Sequence, residues 1–139
     1  METLDVAALK TVLATLVFVA AIPQGLFQAQ LSYRNFRIFP ISKEKLRLAH
    51  RWLGDAILVI VLIVACLCIA TYSPIYLYSL RIPLHIAFGA LTSLSLLAKL
   101  VISRWARSYL RYARLLGLAI LFFISGSFFT SAFFYLFRL

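Results

Sequence analysis

The sequence predicts an all-α fold, an integral membrane four-helix bundle forming one domain, and three observations carry that prediction. Hydrophobic residues make up 64% of the chain and the mean hydropathy is +1.00, against about 45–50% apolar for a soluble domain. The apolar residues fall into four runs, at about 6–27, 52–72, 83–103 and 115–137, each long enough to cross a hydrocarbon core of about 30 Å as a helix. The charge, formally +10 at neutral pH, gathers in the connections between the runs. On a soluble chain such a charge would suggest nucleic acid. Here orientation in the bilayer and contact with anionic headgroups account for it, so the lipid bilayer is the expected partner and nucleic acid is not.

The first run follows Glu2 and Asp5, holds Lys10 near its start and meets Pro23, Gln24 and Gly25 near its end. A secretory signal opens on basic residues and has a shorter apolar core, so this run reads as a retained anchor. Residues 28–46 are polar and basic, and Pro40 followed by Ser42 resembles a helix entry. Helix 2 is expected to start near Ser42, outside the hydrocarbon, to span from Trp52 to Tyr72, and to stop at Ser73-Pro74. Tyr76, Tyr78 and Arg81 then suit a membrane interface.

Helix 3 carries Pro83 in its first turn, a position that needs no amide hydrogen, and leaves the membrane at Arg104, Trp105 and Arg107. The last segment enters through Tyr109, Arg111, Tyr112 and Arg114. Its outer half, with Phe128, Phe129, Phe133, Phe134, Tyr135 and Phe137, is expected to face lipid, a partner or a pigment. Gly117 one turn after Ala113, Gly126 with Thr130, Ser127 with Ser131, and Gly89 with Ser93 are small-residue pairs that let helices approach closely. Cys66 and Cys68, two apart on one helix, point to different sides and read as small apolar side chains.

Four spans bring both termini to one side. Arg34, Arg37, Lys43, Lys45, Arg47, Arg51, Lys99, Arg104, Arg107, Arg111 and Arg114 then lie together, opposite Lys10, Arg81 and Arg138. The positive-inside rule makes the richer side cytoplasmic, or stromal in a thylakoid, with both termini on the other. A bacterial inner membrane or a thylakoid-type membrane is the expected location.

The chain has two histidines, and each precedes a glycine by four residues: His50-Arg-Trp-Leu-Gly54 and His85-Ile-Ala-Phe-Gly89. Residues four apart share a helix face, so each glycine leaves bare backbone beside an imidazole, where a flat ligand fits. Both histidines stand near the start of their own helices, and consecutive spans are antiparallel. From His50 to the end of helix 2 is about 22 residues, roughly 33 Å at 1.5 Å per residue. A single iron held by both would need nitrogens only about 4 Å apart. The two histidines therefore serve separate sites, unless each is structural: His50 as a hydrated interface residue among Lys45, Arg47 and Arg51, or His85 as a satisfied helix residue.

His-Arg-x-x-Gly at the head of one span, and a second His-x-x-x-Gly about 35 residues later at the opposite face, resembles the cytochrome b561 and ferric-reductase-like group. The similarity covers residues 47 to 103, two of the four helices. It implies a haem b in each leaflet and electron transfer across the membrane, with His50 an axial metal ligand on the basic side, His85 one on the other, and Gly54 and Gly89 clearing room for the macrocycle. Helices 1 and 4 contain no histidine. A second ligand would then come from a neighbouring copy or another subunit, or the tetrapyrrole would be five-coordinate, as the magnesium of a chlorophyll-type pigment commonly is.

Asp55 and Lys99 are ionisable residues at membrane depth, both near the basic end, and such groups usually find a partner. Two readings stand equally: the two pair with each other, or Asp55 pairs with Arg51 one turn away and Lys99 snorkels to the headgroups; Lys99 is also placed to reach an acidic group of a bound cofactor. A phosphate-cradling glycine loop, a Ser-His-Asp set and a metal-type Cys/His cluster are all missing from the sequence, and a loop of about twenty residues holds no catalytic domain. The expected function is a b-type cytochrome-like membrane subunit of a larger complex. The alternative is a non-catalytic accessory or scaffold subunit of a photosynthetic or respiratory assembly, with or without pigment.

Overall fold

The computed structural model describes residues 2–33, 35–71, 80–105 and 107–137. Among them the chain is helical, with no strand: α1 is Glu2–Ser32, α2 Lys43–Ala70, α3 Arg81–Arg104, α4 Ala113–Thr130 and α5 Ala132–Phe137, with a 3-10 turn at Arg107–Tyr112. Four stretches, Val6–Ser32, Lys43–Ala70, Arg81–Arg104 and Ala113–Phe137, are long and apolar enough to span a membrane. This is a four-helix integral membrane bundle, as expected. The Ser73-Pro74 stop and the interfacial Tyr76 and Tyr78 lie outside the described residues.

α1 runs on through Pro23 to Ser32, beyond the apolar run at about 6–27. Unwinding there would leave several backbone groups without partners in a medium that supplies none, whereas carrying the helix through the proline forfeits one amide hydrogen. The last span, expected to be continuous, breaks at Ser131, whose backbone (φ −133°, ψ −79°) leaves the helical region. Back-bonding hydroxyls cluster at this break. Ser125, Thr130 and Ser131 return their hydroxyls to the carbonyls of Leu121, Gly126 and Ser127 at 2.7–2.8 Å, and such back-bonding bends helices. At the other end of the chain's long loop, Ser42 caps α2 as expected, its hydroxyl accepting from the Lys45 amide.

α3 packs chiefly on α4, and α1 packs on both α2 and α4. α2 and α3 meet only sparsely, although they are consecutive in sequence. The core is a thin seam of Val17, Ala21, Ile57, Leu96, Ile120 and Ile124. Phe18 stacks on Phe128, centroids 4.4 Å apart, which ties α1 to α4. Phe128 was expected to face outward with its neighbours; it turns inward because α1 offers a flat ring, while Tyr135 and Phe137 remain exposed. Only 11–22% of the residues in each span's most apolar window are buried within the protein, so most of the helical surface faces lipid or other chains.

One polar side chain fixes the loop at the basic end. Gln30 is buried (7% exposed); its oxygen accepts from the amides of Ile38 and Phe39 at 3.0 and 2.8 Å, and its nitrogen donates to the Phe39 carbonyl at 2.8 Å. A glutamine does this because its amide both donates and accepts. Phe39 also packs edge-on against Phe27 at 5.1 Å. Gln30→Leu would strand three loop backbone groups, at about 1–3 kcal/mol for each that water does not reach. The expected result is faster trypsin cleavage at Arg37 in detergent or bilayers, and an unchanged rate would show that Gln30 does not latch the loop.

Candidate functional site

The bundle has two polar ends, and each holds one of the sequence's histidines. Lys10 of α1 donates to the Thr71 hydroxyl at the end of α2 (2.8 Å), and Arg81, at the start of α3, lies over the Phe134 ring of α5 at 4.8 Å. His85 belongs to this end, within the electrostatic reach of Lys10 and Arg81. At the other end Gln24 of α1 meets His50 of α2, and Arg104 of α3 meets Asp55 of α2. The histidines are thus brought to separate ends, as the antiparallel argument requires.

His85 sits against the break in the last span. Its Nδ1 lies 3.2 Å from the Ser127 carbonyl, with the Ser127 and Thr130 hydroxyls at 3.4 and 3.5 Å. The Ser131 amide bonds to the Phe128 carbonyl rather than to Ser127, so the break releases the Ser127 carbonyl from the helix ladder. The Ser131 hydroxyl at 2.8 Å and the His85 ring then satisfy it, with the Thr130 hydroxyl, which donates chiefly to Gly126 at 2.7 Å, a weaker third contact at 3.1 Å. A carbonyl only accepts, so Nδ1 carries the proton and Nε2 keeps the lone pair. No hydrogen-bond partner of Nε2 is found among the described residues. An imidazole held by one nitrogen through a carbonyl, with the other left basic, is the orientation that ligating histidines use.

The two glycines behave differently. A Cβ built on Gly89 meets nothing within 4 Å, so the backbone one turn beyond His85 is bare, as the sequence predicts. A Cβ on Gly54 would stand 2.9 Å from Gln24 Nε2. That nitrogen donates to the His50 carbonyl at 3.0 Å. Gly54 therefore makes room for a glutamine of α1, and the open face expected beside His50 is occupied. The sequence carried the pair Gln24 and Gly54 without any local sign that they touch.

The charges at membrane depth also pair differently. Arg104 Nη2 lies 2.9 Å from Asp55 Oδ2, so of the readings open to Asp55 neither the pair with Lys99 nor the pair with Arg51 forms. The guanidinium at the end of α3 reaches the carboxylate with a bidentate-capable fork that an ammonium one turn deeper lacks. Lys99 instead turns toward α4, its Nζ 3.9 Å from where a Gly117 Cβ would be, and has no ion-pair or hydrogen-bond partner among the described residues. Among those residues no group of three or more His, Cys, Asp or Glu could hold a metal ion. Cys66 and Cys68 are both free thiols, Cys66 exposed and Cys68 half-buried.

Fold and site together define a polytopic helical membrane protein with one oriented imidazole at one end and a polar, basic cluster at the other. The match extends over nearly the whole chain: residues 2–139 fit DUF6529, a family of unknown function, and the chain belongs to it. No curated protein and no solved structure matches it.

Proposed function

We propose that the chain is the membrane-embedded subunit of an electron-transfer assembly and binds one tetrapyrrole, a haem b, through His85. One observation carries this reading: the His85 ring is anchored by Nδ1 to the Ser127 carbonyl while the adjoining face at Gly89 is open. His85 Nε2 would ligate the metal, Gly89 would admit the edge of the macrocycle, and the Ser127 carbonyl would hold the ring plane and raise the basicity of the ligating nitrogen. Bound there, the haem supplies one-electron chemistry, and the protein supplies ligation and a low-dielectric surround. The same test fails at His50, where Gln24 fills the space that a macrocycle needs; the two-haem arrangement is reduced to one site. Any further ligand the group takes would come from another chain, since His50, the other histidine, lies at the opposite end.

The little-buried spans favour residence within a larger complex or a homo-oligomer. They equally suit the accessory-subunit reading, in which His85 holds a chlorophyll-type magnesium or nothing. The visible spectrum of protein extracted in mild detergent separates these. Haem bands that sharpen on dithionite reduction support the proposal, magnesium-chlorin bands support the pigment form of the accessory reading, and a colourless, folded protein overturns tetrapyrrole binding.

The orientation follows the charge, with the basic end cytoplasmic and the termini opposite. In a variant lacking Cys66 and Cys68, a cysteine at Asn35 should resist an impermeant maleimide added to intact cells, and one at Leu80 should react. The reverse pattern would invert the topology.

A further inference from the structure

At the basic end the loop before α2 encloses a cavity of about 210 Å³, lined by Gln30, Phe36, Arg37, Ile41, Ser42 and Lys43. Both of its cations stand beside anchored points of the chain. Arg37 precedes the Ile38 and Phe39 amides that Gln30 holds, and Lys43 follows Ser42, the cap of α2. Neither side chain has an ion-pair or hydrogen-bond partner among the described residues. The acids do not serve them: of the four in the chain, Glu2 and Asp5 belong to the start of α1 at the other end, Asp55 is taken by Arg104, and Glu44 does not line the cavity. The Gln30 amide nitrogen, on the same wall, has a second hydrogen besides the one it gives the Phe39 carbonyl.

These donors define the occupant. A phosphate group carries several acceptor oxygens and a spread negative charge, and so answers a guanidinium, an ammonium and an amide together. The volume equals that of about seven waters at roughly 30 Å³ each, room for a phosphate with glycerol beside it. The rest of the lining is apolar. Phe36 and Ile41 are exposed, as are Tyr33 and Ile38 of the same loop; a free phosphate ion would leave these side chains in water, and a lipid covers them. Depth agrees with a lipid. α2 has 28 residues, about 42 Å at 1.5 Å per residue, and a bilayer with its headgroups measures about 40–45 Å. When the last turn of α2 reaches one interface, its first turn therefore lies among the headgroups of the other.

We propose that this cavity binds one anionic phospholipid, with the phosphate between Arg37 and Lys43 beside the Gln30 amide, and the glycerol and upper acyl chains against Phe36 and Ile41. Such a site differs from the general attraction of basic loops to a charged surface, because two residues, and not the sum of the charge, set the preference. It stands whether or not a tetrapyrrole binds at His85.

Native mass spectrometry of the full chain, released from a mild detergent, tests this with phosphatidylglycerol, phosphatidylcholine and inorganic phosphate added in turn. The wild type should retain one phosphatidylglycerol in preference to phosphatidylcholine by about tenfold or more, and Arg37→Gln with Lys43→Gln should erase the preference. Both side chains are exposed and unpartnered, so the fold should survive. Lys45→Gln with Arg51→Gln removes the same charge from residues outside the cavity and should leave most of the preference. Equal loss in the two double variants overturns the site in favour of diffuse attraction, and a wild type without preference overturns it outright. Displacement of the bound phosphatidylglycerol by an equal concentration of inorganic phosphate would make this a free-anion site and overturn the lipid assignment. A co-purified species other than a phospholipid, lost only from the Arg37 and Lys43 variant, would do the same.

Discussion

If His85 holds a tetrapyrrole as proposed, His85→Leu is expected to abolish the corresponding absorbance of the purified protein, and His50→Leu to leave it intact. The difference arises from geometry and not from residue type. His85 has a fixed ring, a free nitrogen and bare backbone at Gly89, while the space beside His50 belongs to Gln24. Gly89→Leu should reproduce the His85 loss without touching a ligand, because four added carbons occupy the space that the macrocycle needs. The fold should survive all three changes. The Ser127 carbonyl keeps the Ser131 hydroxyl as a donor when His85 is removed, so the stability lost is about that of one hydrogen bond, 0.5–1.5 kcal/mol. Cofactor per folded chain, from absorbance and amino-acid analysis of the monodisperse peak, is the measurement. Loss in His50→Leu with retention in His85→Leu would move the site to the basic end.

Gly126→Ala is expected to destabilise the bundle more than any comparable small change on α4. A Cβ there would lie 2.8–2.9 Å from three atoms of the Phe88 ring, including Cγ next to its stem, so the whole ring must move and not merely its far edge. Overpacking of this kind costs about 1–3 kcal/mol. The gain in helix propensity from glycine to alanine opposes it by only about 1 kcal/mol, leaving a net loss. α3 packs chiefly on α4, so this loss falls on the principal contact of α3. In a Phe88→Ala background the penalty should vanish and the propensity gain show alone, a coupling that a double-mutant cycle in detergent measures. Equal effects of Gly126→Ala in both backgrounds would show that Phe88 does not define the space at Gly126.

How far the sequence could be read depends on the solvent. Spans are legible because twenty apolar residues have one economical solution in a bilayer, and α2 began at Ser42 because capping chemistry is local. α1 runs on past Pro23 and past the apolar run because proline stops helices where water can serve the freed backbone, and here it cannot. The break at Ser131 left no clear mark, since scattered serines and threonines in an apolar run read equally as close-packing residues. Helix pairing was hidden for a deeper reason: a lipid-facing leucine and a core leucine are alike in sequence when the surround is as apolar as the core. The site suffered the same way. Both His-x-x-x-Gly patterns look identical along the chain, and only the three-dimensional approach of Gln24 separates the filled glycine from the open one. Asp55 was rightly expected to pair, but the choice of Arg104 over Lys99 depends on side-chain reach across the gap between α2 and α3.

The sparse contact between α2 and α3 also bears on how the chain assembles. α1 with α2, and α3 with α4, are two helical hairpins that each bury their own seam between sequence neighbours, and α1 against α4 is the one extensive long-range closure. Short-range contacts form with little loop entropy to overcome. The first hairpin can therefore complete its internal packing while the second is still being synthesised. What then remains is the docking of two preformed halves through Phe18 on Phe128 and the seam of Val17, Ala21, Ile120 and Ile124.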